Sequence, residues 1–139
     1  MSSRGSTGPA TNVLCIDDRP HVLELRKAVL ESGGYHVETV TSGYAAIKTL
    51  QATAIDAVLL EYKHQGIDAE AIACQIHRRF PNIPIVLVSA YFQMPERILW
   101  LVDAYVMKSE VLEGLVHAVQ KVTRRSNTET LRASQMPAA

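Results

Sequence analysis

Short apolar runs alternate with longer amphipathic stretches along most of this chain. The runs cover residues 13–16, 37–40, 57–60, 85–88 and 104–107. Their lengths suit β-strands, and three of them are continuously apolar, as is typical of strands covered on both faces in a parallel sheet. The second, read from His36, alternates between polar and apolar residues and suits an edge strand. The pattern therefore predicts five strands.

The stretches between these runs have the spacing of amphipathic helices. Apolar residues that mark them are Val22, Leu25 and Val29; Ala45 or Ala46, Ile47 and Leu50; Ile72, Ile76 and Phe80; Ile98, Leu99 and Leu101; and Val111 or Leu112, Leu115, Val116, Val119 and Val122. Gly33-Gly34 suits a left-handed helix end and Pro95 a helix start. Thr41 or Ser42 and, farther along, Ser109 suit N-caps. Five strand–helix units with short connections predict a doubly wound α/β domain.

Composition supports one domain with two polar tails. The chain has 139 residues, of which 47% are hydrophobic, enough for one core of ordinary size. Residues 1–11 and 124–139 have no sustained apolar period, so we expect a disordered N-terminal tail and a disordered or frayed C-terminal tail. The folded domain is expected to span residues 12–123, and no room is left for an attached output domain.

Charge and cysteine usage exclude several classes of protein. The formal net charge is zero, so the basic excess of a nucleic-acid-binding protein is absent. No apolar stretch is long enough to span a bilayer or to act as a secretory signal, so we expect a cytoplasmic protein. Cys15 and Cys74 show no paired spacing of a metal or redox site and are expected to be buried thiols.

Polar residues stand at the ends of four predicted strands. Asp17 and Asp18 follow the first, Glu61 the third, Ser89 the fourth and Lys108 the fifth. Because ligands of doubly wound sheets bind beyond the carboxyl ends of the strands, these side chains are expected to converge. Three carboxylates suit a hard cation such as Mg²⁺. The alternative is that each polar residue merely marks where a buried strand reaches solvent.

These residues carry a resemblance to the response-regulator receiver domains of two-component signalling. The matching elements, over about residues 11–123, are Val-Leu-Cys-Ile-Asp17-Asp18, Asp-Ala-Val-Leu-Leu-Glu61-Tyr, Ile-Val-Leu-Val-Ser89-Ala90 and Asp-Ala-Tyr105-Val-Met-Lys108. The resemblance implies a flavodoxin-like fold, with five parallel strands in the order 2-1-3-4-5 and five helices.

The resemblance also implies roles for individual positions. Glu61 occupies the place of the aspartate that accepts a phosphoryl group from a histidine kinase. Mg²⁺ would be held by Asp17, Asp18, Glu61 and the backbone carbonyl of Lys63. Lys108 would contact the phosphoryl oxygens. The hydroxyl of Ser89 and the ring of Tyr105 would report the phosphoryl group to the surface formed by helix four, strand five and helix five.

The chain departs from the family pattern at the acceptor. Glutamate reaches about 1.5 Å farther than aspartate, one C–C bond, so we expect ordinary phosphorylation to be lost or impaired. Either Glu61 partly imitates the phosphorylated state, or it only forms a salt bridge with Lys108. Ser109 also replaces the usual proline after the lysine, and a trans Lys108–Ser109 bond is expected.

The leading hypothesis is therefore a stand-alone, atypical receiver that acts as a protein-binding module rather than an enzyme. Its partner would be a kinase or a downstream effector, bound through helix four, strand five and helix five, or a second copy of the chain in a homodimer. The alternatives are a receiver that still accepts phosphoryl groups with Mg²⁺, and a small Mg²⁺-dependent phosphatase. Trp100 belongs either to the core or to the partner surface. His64 is expected to be a solvated loop residue, although a ligand role is conceivable.

Overall fold

A computed structural model describes residues 11–63, 65–91 and 93–135, with side chains through Arg124. The strands are β1 (Asn12–Ile16), β2 (His36–Val40), β3 (Ala57–Tyr62), β4 (Ile85–Ser89) and β5 (Ala104–Met107). The helices are α1 (Pro20–Ser32), α2 (Gly43–Ala52), α3 (Ala69–Arg79), α4 (Glu96–Leu99) and α5 (Val111–Gln135), and a 3-10 turn, Lys108–Glu110, precedes α5. The expectations for residues 1–10, His64 and residues 136–139 lie outside the described residues.

All five strands pair in parallel in the order β2-β1-β3-β4-β5, which confirms the predicted fold. The continuous apolar strands β1, β3 and β4 lie inside the sheet, where helices cover both faces. β2, the strand with alternating polarity, lies at one edge. The order reverses direction at β1 and β3, so Asp17 and Glu61 emerge side by side at the switch point of the sheet.

Each central strand contributes side chains to two separate cores. In β1, Val13 and Cys15 face the side covered by α1 and α5, whereas Leu14 and Ile16 face the side covered by α2, α3 and α4. This alternation follows from the two-residue period of a strand. Burial raises the pKa of the Cys15 thiol to about 12, so Cys15 is the inert buried thiol that was expected. Cys74 is only partly buried.

The start of α1 differs from the predicted helical stripe. Val22 is buried as expected, but Leu25 is exposed and Val29 is only partly buried. The buried positions are Val22, Leu23, Arg26 and Leu30. The helix itself is confirmed, but the apolar residues that marked it do not coincide with the face that packs on the sheet, because that face includes an arginine.

Two helix boundaries were predicted correctly and two were not. Ser42 caps α2 by accepting a hydrogen bond from the Ala45 N–H, and Gly34 takes the left-handed conformation, φ 93°, after α1. Ser109 does not cap α5, because it lies inside the 3-10 turn. The α5 backbone continues beyond Thr123 to Gln135, so residues 124–135 are helical, where we expected a tail.

The fifth strand leads directly into the 3-10 turn through a trans bond between Lys108 and Ser109, as expected. Lys108 therefore stands at the carboxyl end of the sheet, level with the ends of β3 and β4.

Across the described residues, none of the helices has the length and apolar character needed to cross a membrane.

Candidate functional site

The carboxyl ends of β1, β3, β4 and β5 bring the predicted site residues to one edge of the sheet. Register pairs Glu61 with Val88 and Tyr62 with Ser89, so the acceptor position stands one residue below the end of β4. Asp17 directly follows β1, and Lys108 directly follows β5. The predicted convergence is therefore present. We call the group Asp17, Asp18 and Glu61 the acidic rim.

Glu61 is buried, with 6% of its surface exposed, and its carboxylate meets three cations. Its Oε1 accepts a hydrogen bond from Arg26 Nη2 at 2.8 Å. Its Oε2 accepts from Arg19 Nη2 at 2.5 Å and from Lys108 Nζ at 3.0 Å. Both oxygens of the acceptor position are thus engaged by side chains of the same domain.

Asp17 is held mainly by Arg19. Its Oδ1 accepts from the Arg19 backbone N–H at 2.9 Å and from Arg19 Nε at 3.3 Å, and its Oδ2 accepts from Arg19 Nη2 at 3.4 Å. The same Nη2 also donates to Glu61. One guanidinium group therefore bridges two of the three rim carboxylates.

Lys63 bridges Asp17 and Asp18. Its Nζ donates to Asp17 Oδ1 at 3.1 Å and to Asp18 Oδ1. The ammonium group of Lys63 thus contacts the acidic rim, and the role that the resemblance implies for its backbone carbonyl stays a prediction. We call the three carboxylates and the four cations, Arg19, Arg26, Lys63 and Lys108, the ion cluster.

A glycine makes room for the Lys63 side chain. Gly66 has a φ of 93°, a backbone conformation that residues other than glycine rarely adopt. A Cβ at this position would collide with the Asp18 carboxylate and lie 3.3 Å from Lys63 Cε. The turn after β3 thus depends on glycine both for its backbone and for the space in which Lys63 folds back.

The predicted switch residues have partners of their own. Ser89 is fully buried, and its hydroxyl accepts from the Tyr91 N–H at 3.0 Å. The Tyr105 hydroxyl donates to the Tyr91 carbonyl and lies 2.9 Å from Met107 Sδ. The side chains of Ser89 and Tyr105 therefore hold the segment that follows β4 in place. Neither of them contacts Glu61 through a hydrogen bond described above, since the Glu61 carboxylate binds the three cations.

Ion pairing lowers the pKa of Asp17. Burial opposes ionisation of this carboxyl, but hydrogen bonds from the side chain and backbone of Arg19, with a further one from Lys63, outweigh it and hold the pKa well below the usual range. Burial lowers the pKa of Lys63, but hydrogen bonds to Asp18 and to Asp17 outweigh it and raise that pKa above its ordinary value. Asp17, Arg19 and Lys63 are consequently all charged at neutral pH.

This pKa shift predicts a loss of stability in acid. A carboxyl whose pKa is depressed by folding stabilises the protein above its unfolded pKa, about 4, and that contribution disappears as the pH falls toward the folded value. We expect the midpoint temperature of thermal unfolding of the native protein to decrease as the pH is lowered below about 4. In the Asp17→Asn variant this decrease should be smaller. Thermal scans from neutral to acid pH measure it. Glu24→Gln, at an exposed position, is the control and should retain the native profile; a native profile in Asp17→Asn would contradict the prediction.

The arrangement does not fit Mg²⁺. This ion requires several oxygen ligands at about 2.0–2.1 Å in octahedral geometry, yet every oxygen of Asp17 and Glu61 already accepts from a cationic side chain. Within the described residues, no three side chains of His, Cys, Asp or Glu are placed to hold a metal ion. The enclosed space between Asp17, Arg26 and Glu61 is only about 10 Å³, about the size of one water.

Arg19 and Arg26 were not among the site residues predicted from the sequence. Arg26 lies four residues from both Val22 and Leu30, which places it on the buried face of α1, and only 5% of its surface is exposed. An arginine on an apolar stripe is a signal that could have been noticed, because such a side chain needs a buried anion. Arg19 had no comparable signal, since it stands in a polar loop.

A second feature lies on the side of the sheet edge formed by β5. Trp100 is 78% exposed, and Leu99 and Leu112 are also exposed. This excludes the core alternative for Trp100. Leu101, Val102 and Tyr105 pack instead against the core on that side. We call the exposed neighbours Leu99 and Trp100 the helix-four patch.

Comparisons with known proteins agree with this geometry. Among solved structures, the response regulator TrrA from Thermotoga maritima in complex with Mg²⁺-BeF has a TM-score of 0.73 and 30% identity, over 81% of this chain and 98% of that one. The complex of histidine kinase ThkA with TrrA has a TM-score of 0.72 and 29% identity, over 81% of this chain and 97% of the matched chain.

Curated relatives include both sensor kinases and transcriptional regulators. The sensor protein GacS of Pseudomonas syringae pv. syringae is 36% identical over 104 residues, which is 68% of this chain but 12% of GacS. The transcriptional regulatory protein PrrA of Mycobacterium tuberculosis is 26% identical over 134 residues, which is 94% of this chain and 57% of PrrA. The chain thus spans only part of the length of these relatives.

The family comparison covers almost the whole described domain. The model of the response regulator receiver domain matches residues 13–120, which include the acidic rim, Ser89, Tyr105 and Lys108. Together with the parallel sheet order and the strand-end site, this match shows that the chain belongs to the response regulator receiver domain family and to two-component signalling.

Proposed function

We propose that this receiver domain is a protein-interaction module whose state is set by the ion cluster rather than by phosphorylation at position 61. The observation that supports the proposal is the engagement of both Glu61 oxygens by Arg19, Arg26 and Lys108. The domain would act in two-component signalling by binding, without catalysis of its own.

Phosphorylation at this position faces two obstacles. In-line transfer requires a carboxylate oxygen that is free and correctly placed, whereas the oxygens of Glu61 are fastened at 2.5–3.0 Å from three cations. The longer side chain also displaces the carboxylate by about one bond length, ~1.5 Å, relative to aspartate. Either obstacle alone reduces transfer, and the two act together.

The helix-four patch is the best candidate for the contact with a partner. Exposed aromatic residues favour the centres of protein interfaces, and Trp100 is the most exposed large apolar side chain of the described residues. A groove of about 410 Å³ lies between β5 and α5, with Asp103, Glu110 and Glu113 in its lining. The partner would be a kinase or an effector that covers this face. The similar regulator TrrA has been solved in complex with the histidine kinase ThkA.

One contact favours a second version of the proposal. Lys108 Nζ lies 3.0 Å from Glu61 Oε2, and the resemblance assigns this lysine to the phosphoryl oxygens. Glu61 would then imitate the phosphorylated state through Lys108 and hold the helix-four patch in its active form. The two versions differ in whether the patch depends on the charge of Glu61.

Treatment with a small phosphodonor tests the proposal. After incubation with acetyl phosphate and Mg²⁺, intact-mass spectrometry should show no added phosphoryl group, and Mg²⁺ with beryllofluoride should leave the amide NMR spectrum unchanged. TrrA, which has been solved with Mg²⁺-BeF, is the positive control for the beryllofluoride experiment. A phosphoryl group located on Glu61 by peptide mapping would overturn the proposal.

A further inference from the structure

Two of the three pairs of rim carboxylates are bridged by a cationic side chain of the domain itself. The Arg19 guanidinium joins Asp17 to Glu61, and the Lys63 ammonium joins Asp17 to Asp18. These are the three carboxylates that the resemblance assigns to Mg²⁺. The two cations neutralise the rim from positions between its members.

Both bridging side chains are held in place by local structure. Arg19 is fixed by its own backbone N–H, which donates to Asp17 at 2.9 Å, and it immediately precedes Pro20, the first residue of α1. Lys63 folds back over the turn that Gly66 makes possible, where any larger residue would collide with Asp18. The bridges are therefore built by two separate loops that meet at the rim.

The charge of the cluster also opposes a metal ion. Arg26 and Lys108 contact Glu61 in addition to the bridging Arg19, so four cations face three carboxylates. A divalent cation would enter a site with an excess of positive charge and would find the oxygens of Asp17 and Glu61 already engaged. It could bind only by displacing Arg19 or Lys63.

We propose that Arg19 and Lys63 are built-in cations that take the place of Mg²⁺ at the acidic rim, so that the native domain does not bind divalent cations there and removal of both side chains opens such a site. This inference goes beyond the proposed function because it concerns the metal in the absence of any phosphoryl donor. It would stand even if Glu61 proved to accept a phosphoryl group.

Titration with MgCl₂ and MnCl₂, without phosphodonor, tests the inference. The native protein should show no saturable amide shift with Mg²⁺, no selective Mn²⁺ broadening near Asp17 and Glu61, and no change in thermal midpoint. The variant Arg19→Ala/Lys63→Ala should gain all three. Arg97→Ala/Lys121→Ala removes the same charge at exposed positions and should behave as the native protein does.

Two results would overturn the inference. One is saturable Mg²⁺ binding at the rim of the native protein. The other is a folded double variant, verified by its amide spectrum, that still ignores both cations. Lys63→Ala alone provides a variant in which only one loop side chain is lost, and it should gain a weaker but saturable Mn²⁺ effect; its failure to do so while folded would also count against the inference. Added phosphoryl mass, by contrast, bears only on the proposed function.

Discussion

Replacement of Arg26 by methionine should lower the free energy of unfolding by about 3 kcal/mol, at the lower end of the 3–5 kcal/mol typical of breaking a buried ion pair. Arg26 and Glu61 are both about 95% buried and lie 2.8 Å apart. The variant leaves Glu61 with Arg19 and Lys108, which moderates the loss, but removes its most buried partner. Urea unfolding at neutral pH measures the change.

A double-mutant cycle separates the pair from the rest of the cluster. Arg26→Met combined with Glu61→Leu removes both charges and should recover much of the loss, since apolar replacements of a buried pair are often neutral or stabilising. Arg97→Met is the matched control, because Arg97 forms an exposed pair with Glu70, and it should cost less than about 1 kcal/mol. A comparably small loss in Arg26→Met would contradict the prediction.

Glu61→Gln should be destabilising by a similar amount, about 3 kcal/mol, because it leaves three cations around a neutral side chain. The amide keeps the size of Glu61 but offers one oxygen instead of two and no charge. Arg26, which is buried, cannot move to solvent to recover its hydration. Urea unfolding compared with the native protein measures this loss, and a variant at least as stable as the native protein would contradict it.

Glu61→Asp is the matched control, because it keeps the charge and shortens the reach. Arg19 and Lys108 are partly exposed and can follow the carboxylate, so the cost should be smaller than that of Glu61→Gln. Trp100, the single tryptophan, reports the helix-four patch by fluorescence. A change of its emission in both Glu61→Gln and Glu61→Asp supports the version in which Glu61 imitates a phosphoryl group, because aspartate is the unphosphorylated residue of the family pattern. Unchanged emission in both variants supports a patch that is independent of Glu61.

The burial of the strands was predictable from their apolar pattern, whereas their order in the sheet was implied by the resemblance to receiver domains. β1, β3 and β4 are continuously apolar where helices cover both faces, and β2 alternates at the edge. The site residues at the strand ends were predictable for the same reason, since parallel strands end at one edge. Asp17, Asp18, Glu61, Ser89 and Lys108 therefore stand where sequence reasoning placed them.

Most of the ion cluster was not predictable from local patterns. The place of Arg26 on an apolar stripe signals a buried arginine, but its partner Glu61 lies 35 residues later in the chain, and only the packing of α1 on the sheet brings the two together. The use of the Lys63 ammonium depends on the turn at Gly66, whose left-handed conformation is a property of the folded loop. The helical course of residues 124–135 was missed because their polar composition offers no core-facing stripe.

The short fourth helix gives the domain a site of low local stability. With four residues, α4 has too few internal hydrogen bonds to persist without support, and Ile98 is its one fully buried side chain. Local opening of such a segment costs much less than global unfolding. The binding energy of a partner can therefore select one conformation of this segment. The partner would then determine the shape of the surface even in a domain whose ion cluster prevents control by phosphorylation.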